Sequence, residues 1–486
     1  MIHELTKPSW LNRAYINLVH PAVNGDTHRG LGRRLLDLRR MEQMSLEENY
    51  QRQWRAVSRL LQHAYDTTPF YTDRFNRECL KPADIRSPAD LSKIPILTRE
   101  DIRNHFEELW SRQYRKETLR PAATGGTTDT PIPLLRSPEC LRERMAVQSH
   151  FDTWAGMWPG DKVFRLWGAQ QDYPLPSWRW RLYDRGLMRQ VWAPASSLNP
   201  DVLESYRILL NDFQPKVIYA YPSPLAVFAE YLVNCGRQFH RPLTVITTAE
   251  PLLTQQRRLI EQTFGCRVFE QYGSRDFGMV AAECEYHEGL HVNPLAVFTE
   301  FVPVSGAEVD GLHEVLVTDL LNLGMPMIRY RINDCAIPTS KACTCGRGFP
   351  LIRNVVGRTT DNFYLPNGRV VPGISLHGVV RVRPGLKKVQ IIQNTLQDFH
   401  VRYVRGPGFT SSDLDYLSSR LGTFFPDRLR WSFEEVAEIA REKSGKTRYC
   451  ISYVKKRASE FSFGETRESV RVNEPEHDSD QHVPAV

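Results

Sequence analysis

The sequence predicts a large α/β domain with a helical N-terminal segment and a parallel-sheet core, followed by a small α+β lid domain. Three observations carry this reading. Helix-start signals fill the first 120 residues. Strand and helix patterns alternate with short connections from Lys216 to Gln271. After Gly357-Arg358, short strands gather around one helix. The expected boundaries are 1–357 for the large domain, 358–460 for a small mobile domain and 461–486 for a disordered tail.

Ser45 and Glu48 form a capping box, each able to satisfy an orphan N–H of the first turn. Leu60, Leu61, Ala64 and Tyr65 then line one helical face. Ser87-Pro88 and Thr98-x-x-Asp101 mark two further helix starts. Val217–Tyr221 reads as a strand, and Ser223-Pro224 as the cap of a helix that runs to Cys235 and stops at Gly236. Leu243–Thr248 is the next strand, Thr254 to Phe264-Gly265 a helix, and Arg267–Gln271 the third strand. Short connections between such elements imply parallel pairing, and ligands bind at the carboxyl ends of parallel strands. The loops after Tyr221, Thr248 and Gln271 are therefore the expected site. His313–Leu320 and Met325–Ile332 form a smaller β unit. The lid comprises strands Val389–Gln393, Phe399–Val404, Leu429–Phe433 and Tyr449–Val454 with a helix over Ser411–Leu421. Residues 465–486 hold six acids and two bases with few apolar groups, the composition of a disordered tail.

Composition narrows the partners. The 486 residues carry 63 basic and 56 acidic side chains, a mild surplus of +7. That surplus suits a phosphate-bearing small ligand and argues against a nucleic-acid partner. The longest apolar stretch, Leu225–Val233, is interrupted by Glu230, so no membrane span is expected. Met1–Asn17 has no apolar core behind a basic start, which predicts no secretory signal and a cytoplasmic protein. Nine scattered cysteines then suggest reduced thiols or a metal rather than a disulfide framework.

Four segments carry chemistry. In Ala123-Thr124-Gly125-Gly126-Thr127-Thr128-Asp129-Thr130-Pro131, glycines let backbone N–H groups approach an anion and threonine hydroxyls can donate to phosphate. It lacks the Gly-Lys-Ser/Thr ending of a Walker loop, and an ordinary polar turn would use the same residues. Gln271-Tyr272-Gly273-Ser274-Arg275-Asp276 puts an aromatic ring and a carboxylate at a strand end, able to stack a base and hold a divalent metal. In the run from Met325 to Asp334, followed by Gly357-Arg358, a carboxylate can accept both ribose hydroxyls and an arginine can donate to sugar or phosphate. Lys443-Ser444-Gly445-Lys446 offers a lysine on a glycine turn, suited to a developing phosphoryl anion but also common as plain surface.

Taken in order, these motifs make the chain resemble an adenylate-forming enzyme of the phenylacetate–coenzyme A ligase type, especially its CapK-like relatives of capsule polysaccharide biosynthesis. The likeness spans roughly residues 50 to 455 and includes His63-Ala64-Tyr65, Thr68-Pro69-Phe70-Tyr71, Ile94-Pro95-Ile96-Leu97-Thr98, Tyr221-Pro222-Ser223 and Ala249-Glu250-Pro251. The resemblance implies an AMP-forming carboxylate ligase that turns a carboxylic acid into an acyl-adenylate with release of pyrophosphate. Transfer to coenzyme A, an amine or a carrier-protein thiol would follow, and a homodimer is the assembly considered. It implies ATP and Mg²⁺, with Thr124, Gly125, Gly126, Thr127 and Thr128 as the phosphate loop. Ala249, Glu250, Pro251, Tyr272 and Gly273 would form the adenine site. Asp334 and Arg358 would hold the ribose, Asp276 would stand near Mg²⁺, and Lys446 would be the catalytic lysine of the swinging lid. Tyr221 and Ser223 would border the acyl group, with Trp167 and Trp192 as walls. The chain departs from the family pattern at Asp129-Thr130 in place of Gly-Lys, at Asp276 in place of Glu, and at Thr359-Thr360-Asp361 in the hinge. The alternative is a non-catalytic adenylation-fold protein that binds a partner.

Cys284-x₂-His287 and Cys343-x-Cys345 supply two ligand pairs, which suit a closed, structural tetrahedral Zn²⁺, and CapK-like relatives resemble this arrangement. His291 competes with His287 as the fourth donor. His287-Glu288-Gly289-Leu290-His291 also matches the HExxH zinc-protease pattern. That chemistry needs both histidines on one helical face, which Gly289 and the nearby Pro294 disfavour.

Overall fold

The computed structural model describes residues 7–19, 21–22, 30–123, 132–167, 178–195, 198–304, 311–358, 363–367, 370–371, 376, 385–406, 408–425, 428–440 and 449–454. The expected tail lies outside them.

One mixed sheet of eleven strands organises the large domain. Five strands run parallel: β1 (Val163–Trp167), β2 (Gln190–Pro194), β3 (Val217–Ala220), β4 (Thr244–Thr248) and β5 (Val268–Ser274). Six continue antiparallel: β6 (Gly278–Glu283), β7 (Leu290–Val292), β8 (Val297–Pro303), β9 (His313–Asp319), β10 (Tyr330–Thr339) and β11 (Leu351–Arg358). The spatial order is β8-β9-β10-β11-β7-β6-β5-β4-β3-β1-β2. The expected parallel core is thus half of a larger mixed sheet. The switch falls at β5, where a tight turn to β6 replaces a crossover helix.

The main helices are α1 (Leu46–Thr67), α2 (Pro138–Trp154), α3 (Pro200–Phe213), α4 (Pro222–Cys235) and α5 (Thr254–Phe264). The α1 capping box forms as expected, Ser45 N donating to Glu48 Oε2 at 2.8 Å and Glu48 N to Ser45 Oγ at 3.2 Å. Val57, Leu60, Leu61 and Ala64 are buried along one stripe of α1. Two amides on that stripe find backbone carbonyls: Gln53 Nε2 donates to Val297 O at 2.6 Å and Asn49 Nδ2 to Gly348 O at 3.0 Å. Every residue of β3 and β4 is buried, as strands covered on both faces require. Gly236 and Gly265 end α4 and α5 in the left-handed region, with φ of 62° and 67°.

Three expected boundaries move. Ser87-Pro88 opens a 3₁₀ helix, Pro88–Lys93, instead of an α-helix. The first residue before α4 is Tyr221, with Pro222 inside the first turn, and the Ser223 N–H is satisfied from outside by the Glu250 carboxylate at 3.1 Å. The strand expected from Met325 begins only at Tyr330, because Arg329 has φ +52°. Arg329 is instead held by Glu300 at 3.0 Å, and its carbonyl accepts from Leu97 N at 3.1 Å.

The second unit is a four-stranded sheet of β12 (Leu386–Gln393), β13 (Asp398–Arg405), β14 (Arg430–Glu435) and β15 (Cys450–Ser452), in the order β14-β13-β12-β15. With α6 (Ser411–Gly422) it encloses a core of its own that includes Val389, Ile391, Phe399, Val401, Leu417 and Leu421. Each element falls where the sequence pattern put it. β11 carries the large sheet through Arg358, and the smaller unit's elements begin at Phe363. Among the described residues, no helix is long and apolar enough to cross a membrane.

Candidate active site and thiol cluster

Parallel registry brings the ends of β3, β4 and β5 side by side: Ala220 lies opposite Thr247, and Thr248 opposite Gln271. The chain leaves β4 through Ala249, whose φ of +71° strains an L-residue and turns Glu250 toward the start of α4. Glu250 then joins two of the expected loops through the Ser223 N–H, while Ser223 Oγ accepts from Gln256 Nε2 at 3.4 Å.

Tyr272 reaches from β5 to β10. Its hydroxyl donates to Asp334 Oδ2 at 2.7 Å. Asp334 lies within a bulge: Leu316 pairs with Arg331 but Glu314 with Cys335, so the intervening residues of β10, Asp334 among them, bow outward, with Asn333 at φ +64°. Across the other edge, Asp334 faces Arg358 in the β10–β11 register. Tyr272 and Asp334 thus meet from distant segments, with the backbone of Arg358 in register beside Asp334. Asp276, in the turn after β5, is 6% exposed and lies close enough to Arg136 and Arg144 to act on their charge; burial nonetheless pushes the Arg136 guanidinium down, whereas Arg144 is buried but held above its ordinary value chiefly by Asp319.

The expected phosphate loop, Thr124 to Thr128, lies outside the described residues, as do Asp129, Thr130, Thr359, Thr360, Asp361 and Lys446. The strands flanking the loop, Arg120–Ala123 and Pro133–Arg136, form an antiparallel hairpin. Arg136 donates to the Arg275 carbonyl and so tethers this hairpin to the turn carrying Asp276.

Beside that turn lies a cleft of about 710 Å³, lined by α2, β1, the start of β2 and the β5–β6 turn through Gln148, Asp152, Arg165, Gln190, Ser274 and Arg275. Tyr221 and Ser223 are not among its described lining residues; the Tyr221 ring instead packs on Trp167 with centroids 4.7 Å apart. The polar floor of the cleft was not legible in the sequence. Gln148 and Gln271 each donate to Asp152 Oδ1 at 2.9 Å, and the Tyr219 hydroxyl donates to Gln271 Oε1 at 2.8 Å. The only sequence signal was polar residues recurring on the buried face of α2.

Burial pushes the Asp152 carboxyl up to about 6 from its ordinary 3.8, against the pull of the two amides. A carboxyl raised in the folded state favours folding fully below its unfolded pKa, and that contribution disappears as pH rises through about 6. Asp152→Asn keeps the Oδ1 acceptor and removes the charge. It is expected to stabilise the protein at pH 8 by up to about 3 kcal/mol, with the gain vanishing toward pH 4. Denaturation midpoints of both proteins across that range are the check; an equal effect at both ends contradicts the burial argument.

The thiols form a second centre. One donor atom from each of Cys284, His291, Cys343 and Cys345 lies within 4.8 Å of the others. Cys284 Sγ is 3.6 Å from Cys343 Sγ, and Cys345 Sγ is 3.4 Å from His291 Nε2. Two sulfurs about 2.3 Å from a tetrahedral zinc sit about 3.8 Å apart, so the donor set fits Zn²⁺. Backbone N–H groups of Tyr286 and Arg347 point at Cys284 Sγ and Cys345 Sγ at 3.5 and 3.4 Å. The buried His291 ring packs edge-on against Trp154, with centroids 5.5 Å apart.

The fourth donor gathered here is His291, not His287. At φ +54°, His287 turns its ring away, onto Phe269 and toward Glu283 Oε2 at 3.3 Å, whereas His291 sits on β7. With one histidine in a turn and the other on a strand, the HExxH protease reading is excluded.

Residues 363–453 match the family of the CapK C-terminal domain. The chain is 28% identical over 330 residues to the phenylacetate-coenzyme A ligase of Thermus thermophilus, an alignment covering 65% of this chain and 72% of that protein. It is 28% identical over 345 residues to the phenylacetate-coenzyme A ligase of Pseudomonas putida, covering 68% and 75%. A crystal structure of 2-hydroxyisobutyryl-CoA ligase in the postadenylation state, in complex with R3-HIB-AMP, shares the fold. Its TM-score is 0.67 at 18% identity, over 85% of this chain and 91% of that one. Over about two thirds of its length this chain is thus similar to phenylacetate-coenzyme A ligases, and its C-terminal segment matches the CapK C-terminal domain family.

Proposed function

We propose that this chain is an AMP-forming carboxylate ligase that activates a carboxylic acid with ATP and passes the acyl group to coenzyme A. The observation that carries the reading is the bond from the Tyr272 hydroxyl to Asp334, which brings a ring and an acceptor carboxylate together, with Arg358 in backbone register beside Asp334. Such a junction suits a nucleoside: the ring of Tyr272 offers a face to adenine and Asp334 accepts from the ribose hydroxyls.

In the first half-reaction, a carboxylate oxygen of the acid attacks the α-phosphorus of ATP, pyrophosphate leaves and an acyl-adenylate forms. Negative charge grows on the phosphoryl oxygens, so the protein's part is positioning and electrostatic stabilisation. Lys446 and the Thr124–Thr128 loop take that part in this reading. Mg²⁺, when bound, neutralises phosphate charge, and Asp276 supplies the hard carboxylate oxygen that it prefers. In the second half-reaction the acceptor sulfur attacks the acyl carbonyl, the C–O bond to phosphate breaks and AMP leaves. An amine or a carrier-protein thiol would attack the same carbon. Zn²⁺ held by Cys284, His291, Cys343 and Cys345 would be structural, since four protein donors leave no open position.

Acid-dependent ATP–pyrophosphate exchange across a panel of carboxylic acids tests the reading. At least one acid is expected to support exchange, and Lys446→Ala to slow it by about a hundredfold or more. A panel without exchange, joined to a failure to bind ATP, would leave a non-catalytic binding protein.

A further inference from the structure

We infer that the acid activated here carries a second anionic group, bound by the Arg165 guanidinium in the cleft between α2 and β1. The inference rests on the ligase reading and names its substrate class.

β1 alternates. Phe164 and Leu166 enter the apolar core beneath α3 and α4, so Arg165 points to the opposite face, toward the cleft. A half-buried guanidinium in such a place is normally matched by a carboxylate. Arg165 is built in but not matched. Its Nε donates to Gln190 Oε1 at 2.8 Å, and Gln190 is itself fixed by donating to Asp184 Oδ1 at 2.9 Å. The guanidinium carbon lies 5.3 Å from the Trp192 ring centroid and 5.0 Å from that of Tyr219. Asp152 and Asp184 are near enough to act on its charge, yet among the described residues no carboxylate forms an ion pair with it. Asp152 Oδ1 is already occupied by two amides. Among the described residues the two terminal nitrogens make no hydrogen bond, which leaves them to a cleft ligand in the planar fork that takes a carboxylate through two bonds.

The cleft supplies the connection to chemistry. Its lining includes both Arg165 and the Ser274-Arg275 turn, which follows Tyr272 directly. One continuous space thus reaches from the nucleotide edge to Arg165. A molecule with a carboxylate at each end can present one for adenylation and leave the other with the guanidinium. An apolar acid would cover the two terminal nitrogens without giving them an acceptor, a loss worth about tenfold or more in binding.

Exchange assays with matched pairs decide the matter: succinate, glutarate and adipate against butanoate, pentanoate and hexanoate, and 4-carboxyphenylacetate against phenylacetate. The best diacid is expected to exceed its monoacid at least tenfold in kcat/KM. Arg165→Met is expected to cut that ratio at least tenfold, and Arg165→Lys to preserve its direction. Should Arg165→Met fail to fold, the wild-type ratio alone still decides. A wild-type preference for the monoacids, or for amino acids, overturns the inference and leaves the ligase standing. Exchange with no acid, and no ATP binding, overturns both.

Discussion

Asp334→Ala is expected to slow acid-dependent ATP–pyrophosphate exchange by about two to three orders of magnitude. In the ligase reading Asp334 accepts from two ribose hydroxyls, and charge-assisted bonds of this kind are worth about 1.5–3 kcal/mol each. The carboxylate is already prepared for that task. The bulge in which it lies sets its direction, and the Tyr272 hydroxyl holds Oδ2 at 2.7 Å. Asp334→Asn retains one acceptor and should fall between alanine and wild type. Tyr272→Phe keeps the ring and removes only the orienting bond, so about a tenfold loss is expected, mostly in the KM for ATP. Unchanged far-ultraviolet dichroism would show that the sheet survives. An Asp334→Ala protein within threefold of wild type would place the nucleotide elsewhere.

Loss of one donor from the thiol cluster is the other large effect. Purified protein is expected to contain about one zinc per chain. Cys345→Ser and His291→Ala should each lose that zinc and destabilise the large domain by about 3 kcal/mol or more. The cluster closes a region that several elements share: Trp154 at the end of α2 packs on His291, and Arg347 pairs with Glu285 at 2.8 Å while stacking 4.6 Å from the Trp154 centroid. Removing the metal leaves three thiols crowded around an imidazole, and the Arg347–Glu285 pair and the Thr344–Glu288 bonds remain to join the two loops. His287→Ala is the discriminating control. Its ring packs on Phe269 and turns toward Glu283, so zinc content should not change. Zinc retained by His291→Ala but lost from His287→Ala would reverse the assignment, and wild-type protein without zinc would remove it.

Elements with local determinants were legible in advance. The α1 capping box and the glycines closing α4 and α5 rest on interactions within a few residues, and the strands of the smaller sheet announce themselves by short apolar runs even though their partners are distant. Features set by distant contacts were not. The strand expected from Met325 is delayed because Arg329 answers to Glu300 and Leu97, residues that no local window joins to it. The Ser223 N–H binds Glu250 because β3 and β4 are neighbours. The choice of His291 over His287 turned on the turn that sends the His287 ring onto Phe269 and toward Glu283, whereas spacing offered both.

The sequence by itself determined the order of helices and strands, the carboxyl-end loops and the residue types that gather there, because turn chemistry and hydrophobic period act over short distances. Tertiary structure alone decided that the parallel strands continue into an antiparallel half, and that Asp334 would be steered by a bulge toward Tyr272. It also decided that Arg165 would stand in a cleft without a carboxylate partner among the described residues. Such outcomes depend on which faces meet when remote segments pack, and a linear pattern carries no term for that.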